Sequence, residues 1–327
     1  MESEAIAARG LVREFGAVRA VDGIDLSVRR GEIYGFLGPN GAGKTTVIRM
    51  LVTLLAPTAG SITVAGFNAV TQPDQVRLRI GAALQAAALD DKQTGRELLN
   101  LQGRLYGLKG REIAARVADL TDLIDIGDAM GRLIGTYSGG MKRRLDLAAA
   151  LIHQPEILFL DEPTTGLDPI SRSRIFEEVA KINSELEMTI FLTTQYLEEA
   201  DALAHRVGII DRGRLVAQGT PEELKHSRGS DLIIVHLDAP VTPEVAAALE
   251  ALSSVDFVDA HDSELTVSTG NGAALVSGVA LKLNELGVGV RELTLRTPTL
   301  DDVFLQVTGS RLRREESEGD PEDQGQG

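Results

Sequence analysis

The stretch Gly38-Pro39-Asn40-Gly41-Ala42-Gly43-Lys44-Thr45-Thr46 decides the fold of this chain. An apolar run with strand character, Glu32 to Leu37, leads into it, and a helical stretch, Thr46 to Leu54, leads out. On a strand–loop–helix frame, the Gly-x4-Gly-Lys-Thr spacing predicts a loop whose backbone N–H groups wrap around a polyphosphate. The glycines permit turns that a Cβ would block. Lys44 supplies a point charge for the β- and γ-phosphates, and Thr45 offers a hydroxyl to Mg²⁺. A helix opening at Lys44 adds its positive dipole end. The competing reading, an ordinary glycine-rich turn, accounts for neither the strand before the loop nor the helix after it.

Working outward, 327 residues can bury a substantial core and suit one large domain with a smaller companion. The formal net charge of −15 argues against a chain whose main affinity is for nucleic acid, because such proteins need a basic face. No cysteine is present, which removes disulfides, thiolate metal sites and cysteine nucleophiles. The acidic start, Met1-Glu2-Ser3-Glu4, does not read as a signal peptide. No apolar run approaches the roughly 20 residues that span a bilayer, so a cytoplasmic location is expected.

From Ala5 to about Glu222 apolar β-type runs alternate with helical periodicity, which predicts an α/β fold with a mostly parallel sheet. Leu158-Phe159-Leu160 and Ile190-Phe191-Leu192 read as buried parallel strands. Between about Asp90 and Ile134 strand signal vanishes, and Leu98, Leu101, Leu105, Leu120, Leu123 and Ile124 recur at helical spacing as the core face of a helical insertion. Past a polar segment around His226-Ser227-Arg228-Gly229-Ser230 the order becomes βαββαβ, the ferredoxin-like α+β plan, followed by a short helix from Leu300 to Val307. Its Val303, Phe304 and Val307 are expected either to complete the core of that small domain or to form a docking face. The boundaries drawn are 5–222 for the nucleotide-binding domain, about 90–150 for its helical subdomain, 223–230 for a linker, 231–309 for the accessory domain and 310–327 for an acidic, disordered tail.

Two further motifs carry chemistry. Ile157 to Glu162 is an apolar strand ending in paired carboxylates: Asp161 can hold Mg²⁺ and Glu162 can polarise an attacking water as general base. Tyr137-Ser138-Gly139-Gly140-Met141 precedes a helix, with Ser138 as its N-cap and the two glycines allowing close approach to an oxyanion. The chain therefore offers two helix starts suited to phosphate. The five histidines lack metal-ligand spacing and read as structural or surface residues.

In these motifs and their order, from Leu11 to about Gly219, the sequence resembles the ATP-binding cassette family, in which Leu-Ser-Gly-Gly-Gln of one subunit covers the ATP held by the phosphate loop of another. Ser138, Gly139 and Gly140 match that signature, while Tyr137 and Met141 depart from it. The resemblance implies an adenine-stacking role for Phe15 and a Mg²⁺-sensing, partner-contacting role for Gln85. It implies an interface-crossing loop at Gly166-Leu167-Asp168, with Asp168 near nucleotide, and a γ-phosphate contact at Gln195, where the family usually has His. A carboxamide donates a hydrogen bond but takes up no proton.

Tyr-Ser-Gly-Gly-Met, Thr193-Thr194-Gln195-Tyr196 and Thr299-Leu300-Asp301-Asp302-Val303-Phe304-Leu305 are similar to the daunorubicin-resistance type of exporter ATPase. That likeness implies an ATPase with ATP and Mg²⁺ as cofactors, working as a nucleotide-sandwich homodimer with polytopic membrane permease subunits on the cytoplasmic face of the membrane. A soluble cassette ATPase acting on ribosomes or DNA is the alternative, disfavoured by a single cassette, the absence of a long heptad run and the acidic balance. A phosphate-loop kinase leaves Ser138-Gly139-Gly140 without a use.

Overall fold

The computed structural model describes residues 4–84, 89–226 and 231–308. It opens with a hairpin of two long strands, β1 (Glu4–Phe15) and β2 (Val18–Arg29). β3 (Ile33–Leu37) then delivers the phosphate loop to α1 (Lys44–Leu51). This helix ends short of the expected Leu54 because Thr53 takes a left-handed φ of 65°. β4 (Ala59–Val64) and β5 (Phe67–Asn68) join the hairpin in a four-stranded antiparallel sheet, order β2-β1-β4-β5. After α2 (Pro73–Arg77) and β6 (Ile80–Ala83) comes the helical insertion, with α3 (Gly95–Leu105), α4 (Gly110–Leu123) and α5 (Gly139–Leu151).

The chain returns to its central sheet through β7 (Ile157–Asp161), α6 (Pro169–Leu186), β8 (Thr189–Thr194), α7 (Leu197–Leu203), β9 (Arg206–Asp211) and β10 (Arg214–Gly219). That sheet runs β10-β9-β3-β8-β7-β6, parallel except for the β9–β10 hairpin. Its central strands β3, β7 and β8 are buried along their whole length because both faces are covered. On β8, Ile190 and Leu192 enter the core shared with the helical insertion. Phe191 points into the opposite core, with its ring 5.6 Å from those of Tyr34 and Phe36 and 5.7 Å from that of Phe159.

α8 (Pro221–His226) occupies the first part of the segment read as linker, and 227–230 lie outside the described residues. β11 (Asp231–Leu237), α9 (Pro243–Glu250), β12 (Val255–His261), β13 (Glu264–Thr269), α10 (Gly272–Glu285) and β14 (Val290–Arg296) follow. Their antiparallel order β12-β13-β11-β14 is that of a ferredoxin-like unit, with Ile233, Val235, Leu265, Val267, Val279 and Leu283 at its centre.

Two packing expectations need correction. Leu98 is buried, but Leu101 is 43 % and Leu105 71 % exposed, so the outer part of that leucine stripe faces away from the core. The last helix, α11 (Leu300–Thr308), does not complete the small unit. Its Leu300, Val303 and Phe304 are buried with Leu37, Leu197, Ala200, Val207 and Leu224 of the nucleotide-binding domain, and Val307 packs on the same cluster. The acidic tail and Arg311, Arg313 and Arg314 fall outside the described residues.

The packing of α11 makes a prediction. Full burial of an apolar side chain contributes roughly 1.5–3 kcal/mol, so truncation after Arg296 should destabilise the nucleotide-binding domain itself by about 5 kcal/mol or more. Thermal melting of the truncated chain with saturating ATP would read this as a lower midpoint. An unchanged midpoint would remove α11 from that core.

Candidate nucleotide and catalytic site

The site residues are assembled by strand register. Leu37 of β3 pairs with Thr194 of β8, and Asp161 of β7 pairs with Thr193. The phosphate loop, the paired carboxylates and Gln195 therefore leave the sheet at neighbouring carboxyl ends, the edge at which open α/β sheets bind ligands.

In the loop, Gly41 has φ 81° and Gly43 φ 110°, both in the left-handed region. Gly43 is the N-cap of α1 and contributes no side chain to cap it. The N–H groups of Lys44, Thr45 and Thr46 at the start of α1 thus have no intrahelical acceptor and suit an anion. A Cβ on Gly38 would sit 2.4 Å from the Ile210 carbonyl oxygen, and one on Gly43 2.6 Å from that of Ala20. The Lys44 side chain is buried: its Nζ donates to the Gly38 carbonyl at 2.7 Å and lies 3.2 Å from Glu162 Oε1.

The carboxylates are held from several sides. Thr193 Oγ1 donates to Asp161 Oδ1 at 2.6 Å, and the Glu162 N–H donates to Thr193 Oγ1 at 3.0 Å and to its carbonyl at 3.1 Å. Glu162 adopts a left-handed φ of 48°, a conformation that a non-glycine residue keeps only where its surroundings enforce it. As to metal, no group of three or more His, Cys, Asp or Glu gathers among the described residues. Magnesium needs no such cage, since one or two hard oxygen donors beside substrate phosphates suffice, and Thr45 and Asp161 each carry a hard oxygen.

The second helix start is built as the sequence predicts. Ser138 caps α5, its Oγ accepting from the Met141 N–H at 3.2 Å. Gly139 and Gly140 lie against the start of α6, where a Cβ would come 3.7 Å from Leu167 and 3.2 Å from Ser171 Oγ. Asp168 caps α6, accepting from the Ser171 N–H at 3.0 Å and from its hydroxyl at 2.6 Å, and these bonds hold its carboxyl below the usual range.

Phe15 is not a core residue. At the tip of the β1–β2 hairpin it is 47 % exposed, with the Arg13 guanidinium 4.5 Å from its ring centroid. Gln195 is half-buried on the bend between β8 and α7. Gln85 lies outside the described residues, just beyond Leu84.

Two residues not singled out from sequence support the site. Glu199 is buried on α7, where burial raises its carboxyl pKa against the hydroxyls that donate to it from Thr164 and Thr194. Arg143 on α5 donates to the Pro163 carbonyl at 2.9 Å and the Leu84 carbonyl at 3.1 Å. It also pairs with Asp146 at 3.1 Å. Burial pushes the Asp146 carboxyl up to about 6, with Arg143 opposing. The sequence hint was a Lys-Arg-Arg-Leu-Asp run, 142 to 146, inside an otherwise apolar helix. Asp146 also borders a cleft of about 280 Å³ with Leu54, Ile80, Ala82 and Tyr106, beside the insertion.

Comparison with known proteins agrees with this fold. The ABC transporter family model matches residues 21–165, and a model described as ATP-binding protein DrrA1-3-like, C-terminal domain, matches 219–308. The daunorubicin resistance ATP-binding protein DrrA3 of Streptomyces coeruleorubidus is 46 % identical over 97 % of this chain and 100 % of its own length. The chain belongs to the ABC transporter family. Its relatives there include the daunorubicin/doxorubicin resistance ATP-binding protein DrrA of Streptomyces peucetius, 44 % identical over 94 % of this chain and 93 % of that one. The linearmycin resistance ATP-binding protein LnrL of Bacillus subtilis is 36 % identical over 94 % and 99 %. Among solved structures, cbiO1 of Clostridium perfringens, part of the transporter complex cbiONQ, aligns with TM-score 0.64 and 27 % identity over 68 % of this chain and 91 % of that one. This ABC protein is accordingly an ATP-binding, ATP-hydrolysing subunit, and no helix among its described residues is long and apolar enough to cross a membrane.

The loop geometry is directly testable. In Gly43→Ala a Cβ must displace the Ala20 carbonyl and tolerate a left-handed φ. ATP affinity should fall by at least about tenfold, the equivalent of roughly 1.4 kcal/mol, in an equilibrium titration with a fluorescent nucleotide.

Proposed function

We propose that this chain is the ATP-hydrolysing subunit of an exporter, energising efflux of a drug, antibiotic or lipid-like molecule through separate polytopic membrane subunits. The observation that carries the reading is the presence of two helix starts suited to phosphate in one chain, α1 behind the phosphate loop and α5 behind Ser138. One chain needs only the first to hold a triphosphate. Two chains facing head to tail give the second a use, each α5 closing on the ATP held by the other. The names of the relatives, which are drug-resistance ATP-binding proteins, support export over action on ribosomes or DNA.

In this reading Lys44 and the N–H groups of Gly41 to Thr46 bind the β- and γ-phosphates, with Gly38, Pro39 and Asn40 shaping the loop. Thr45 and Asp161, with Gln85, hold the Mg²⁺ ion whose charge offsets that of the phosphates. Glu162 takes a proton from the attacking water as general base. Gln195 donates to the γ-phosphate, and Phe15 stacks on adenine with Arg13 behind it. Ser138, Gly139 and Gly140 close on the partner's nucleotide, and Asp168 sets the loop between the two sites. The protein sits peripherally on the cytoplasmic face of the membrane, and the cleft beside Tyr106 and Asp146 receives the membrane subunit. The domain boundaries 5–222 and 231–309 follow the same reading, with α11 reaching back to the first.

Glu162→Gln should bind ATP, turn it over only at a low residual rate and accumulate as a closed dimer, visible in light scattering as a doubled mass on adding ATP. A persistent monomer at saturating ATP would overturn the sandwich. For Gln195→Ala, turnover should fall by about 1.5–3 kcal/mol in barrier while ATP affinity holds, as for a bond to a charged group that tightens in the transition state. Steady-state kinetics on the full chain reads this directly, and an unchanged turnover would remove Gln195 from the reaction.

A further inference from the structure

The Arg143 side chain touches the carbonyls of both residues that adjoin Glu162. Its Nε donates to the Pro163 carbonyl at 2.9 Å and its NH2 to the Asp161 carbonyl at 3.3 Å, so one planar group bonds the carbonyls of both residues adjoining the one read as general base. The opposite flank is held by Thr193, which accepts from the Glu162 N–H. The left-handed φ of 48° at Glu162 is the conformation this two-sided grip maintains.

The same guanidinium reaches a second strand end. NH1 donates to the Leu84 carbonyl at 3.1 Å and NH2 lies 3.5 Å from that of Ala83, at the point where β6 runs out toward Gln85. Asp146, one turn along α5, fixes the fork from behind at 3.1 Å. Only 12 % of the Arg143 side chain is exposed, so these partners replace water. A guanidinium suits the task because its donors lie in one rigid plane, whereas a lysine ammonium concentrates its donors at a point. The grip is on main-chain carbonyls, and the Asp161 carboxylate stays available for its own work.

We infer that Arg143 is a positioning residue for hydrolysis: from the signature helix it holds Glu162, and the strand end that leads to Gln85, in the working arrangement. The inference rests on the reading of Glu162 given above, and it predicts a kinetic pattern that a merely stabilising arginine would not give. A displacement of about 1 Å at a reacting group lowers rates by up to about a hundredfold. Arg143→Lys in the full chain should therefore lose at least about tenfold in kcat, with ATP affinity and melting temperature close to the parent. Asp146→Asn, which frees the fork without removing it, should lose a smaller factor in the same direction.

Placing Arg143→Lys in a Glu162→Gln background isolates the cause. If Arg143 acts through Glu162, the second substitution costs little further rate, because effects of residues acting as a unit do not add. A wild-type kcat in Arg143→Lys would overturn the inference, as would a full additional loss in the Glu162→Gln background or a fall in ATP affinity matching the fall in rate. If Glu162→Gln alone leaves turnover intact, the general-base reading fails instead. Should Arg143→Lys not fold, Asp146→Asn carries the test: reduced kcat at unchanged ATP affinity supports the inference, and wild-type kcat overturns it.

Discussion

The parallel registration of β3, β8 and β7 is the constraint on which the rest of this protein depends. Pairing Leu37 with Thr194 and Asp161 with Thr193 makes three strands end at one level. Three short sequences far apart in the chain become one site for that reason alone. The register is secured by the interiors on both faces: Ile190 and Leu192 are fully committed to one core and Phe191 to the other. A slip of one residue would exchange those faces and separate Asp161 from Thr193 at the same time.

Polar groups at that edge are buried in pairs, as burial demands. Lys44 lies against Glu162, Asp161 accepts from Thr193, and Glu199 accepts from Thr164 and Thr194. The network makes the edge stiff without filling it with side chains. It also holds Glu162 at a positive φ, a conformation the sequence does not favour and the surroundings impose. The signature helix belongs to the same network, because Arg143 joins α5 to the ends of β6 and β7.

The C-terminal segment is divided between two cores. Its ferredoxin-like unit has an interior of its own, whereas α11 leaves that unit and buries Val303 and Phe304 beside Leu37 and Leu197. Leu37 immediately precedes the phosphate loop, and Leu197 lies two residues past Gln195. The end of the chain is therefore built into the support of the nucleotide edge, and the small unit is anchored on both sides, by α8 before it and α11 after it.

Sequence by itself determined what local rules control. The phosphate loop, the Asp161-Glu162 pair, the Ser138 cap and the βαββαβ order are written in spacing, capping chemistry and the change of period from 3.6 to 2. Each needs only residues near in sequence, and the chain forms them where the pattern places them. Tertiary structure decided the rest, because it turned on which faces meet. The stripe Leu98, Leu101 and Leu105 has one periodicity but two fates, since only its inner end is buried. Glu198 and Glu199 are adjacent and alike, yet only Glu199 turns inward to the two threonines. Val303 and Phe304 announce an apolar face without naming the core that covers it. Arg143 is one of two successive arginines, and its reach to the carbonyls of Leu84, Asp161 and Pro163 exists only once three separate segments have converged, a nonlocal condition that no window of sequence contains.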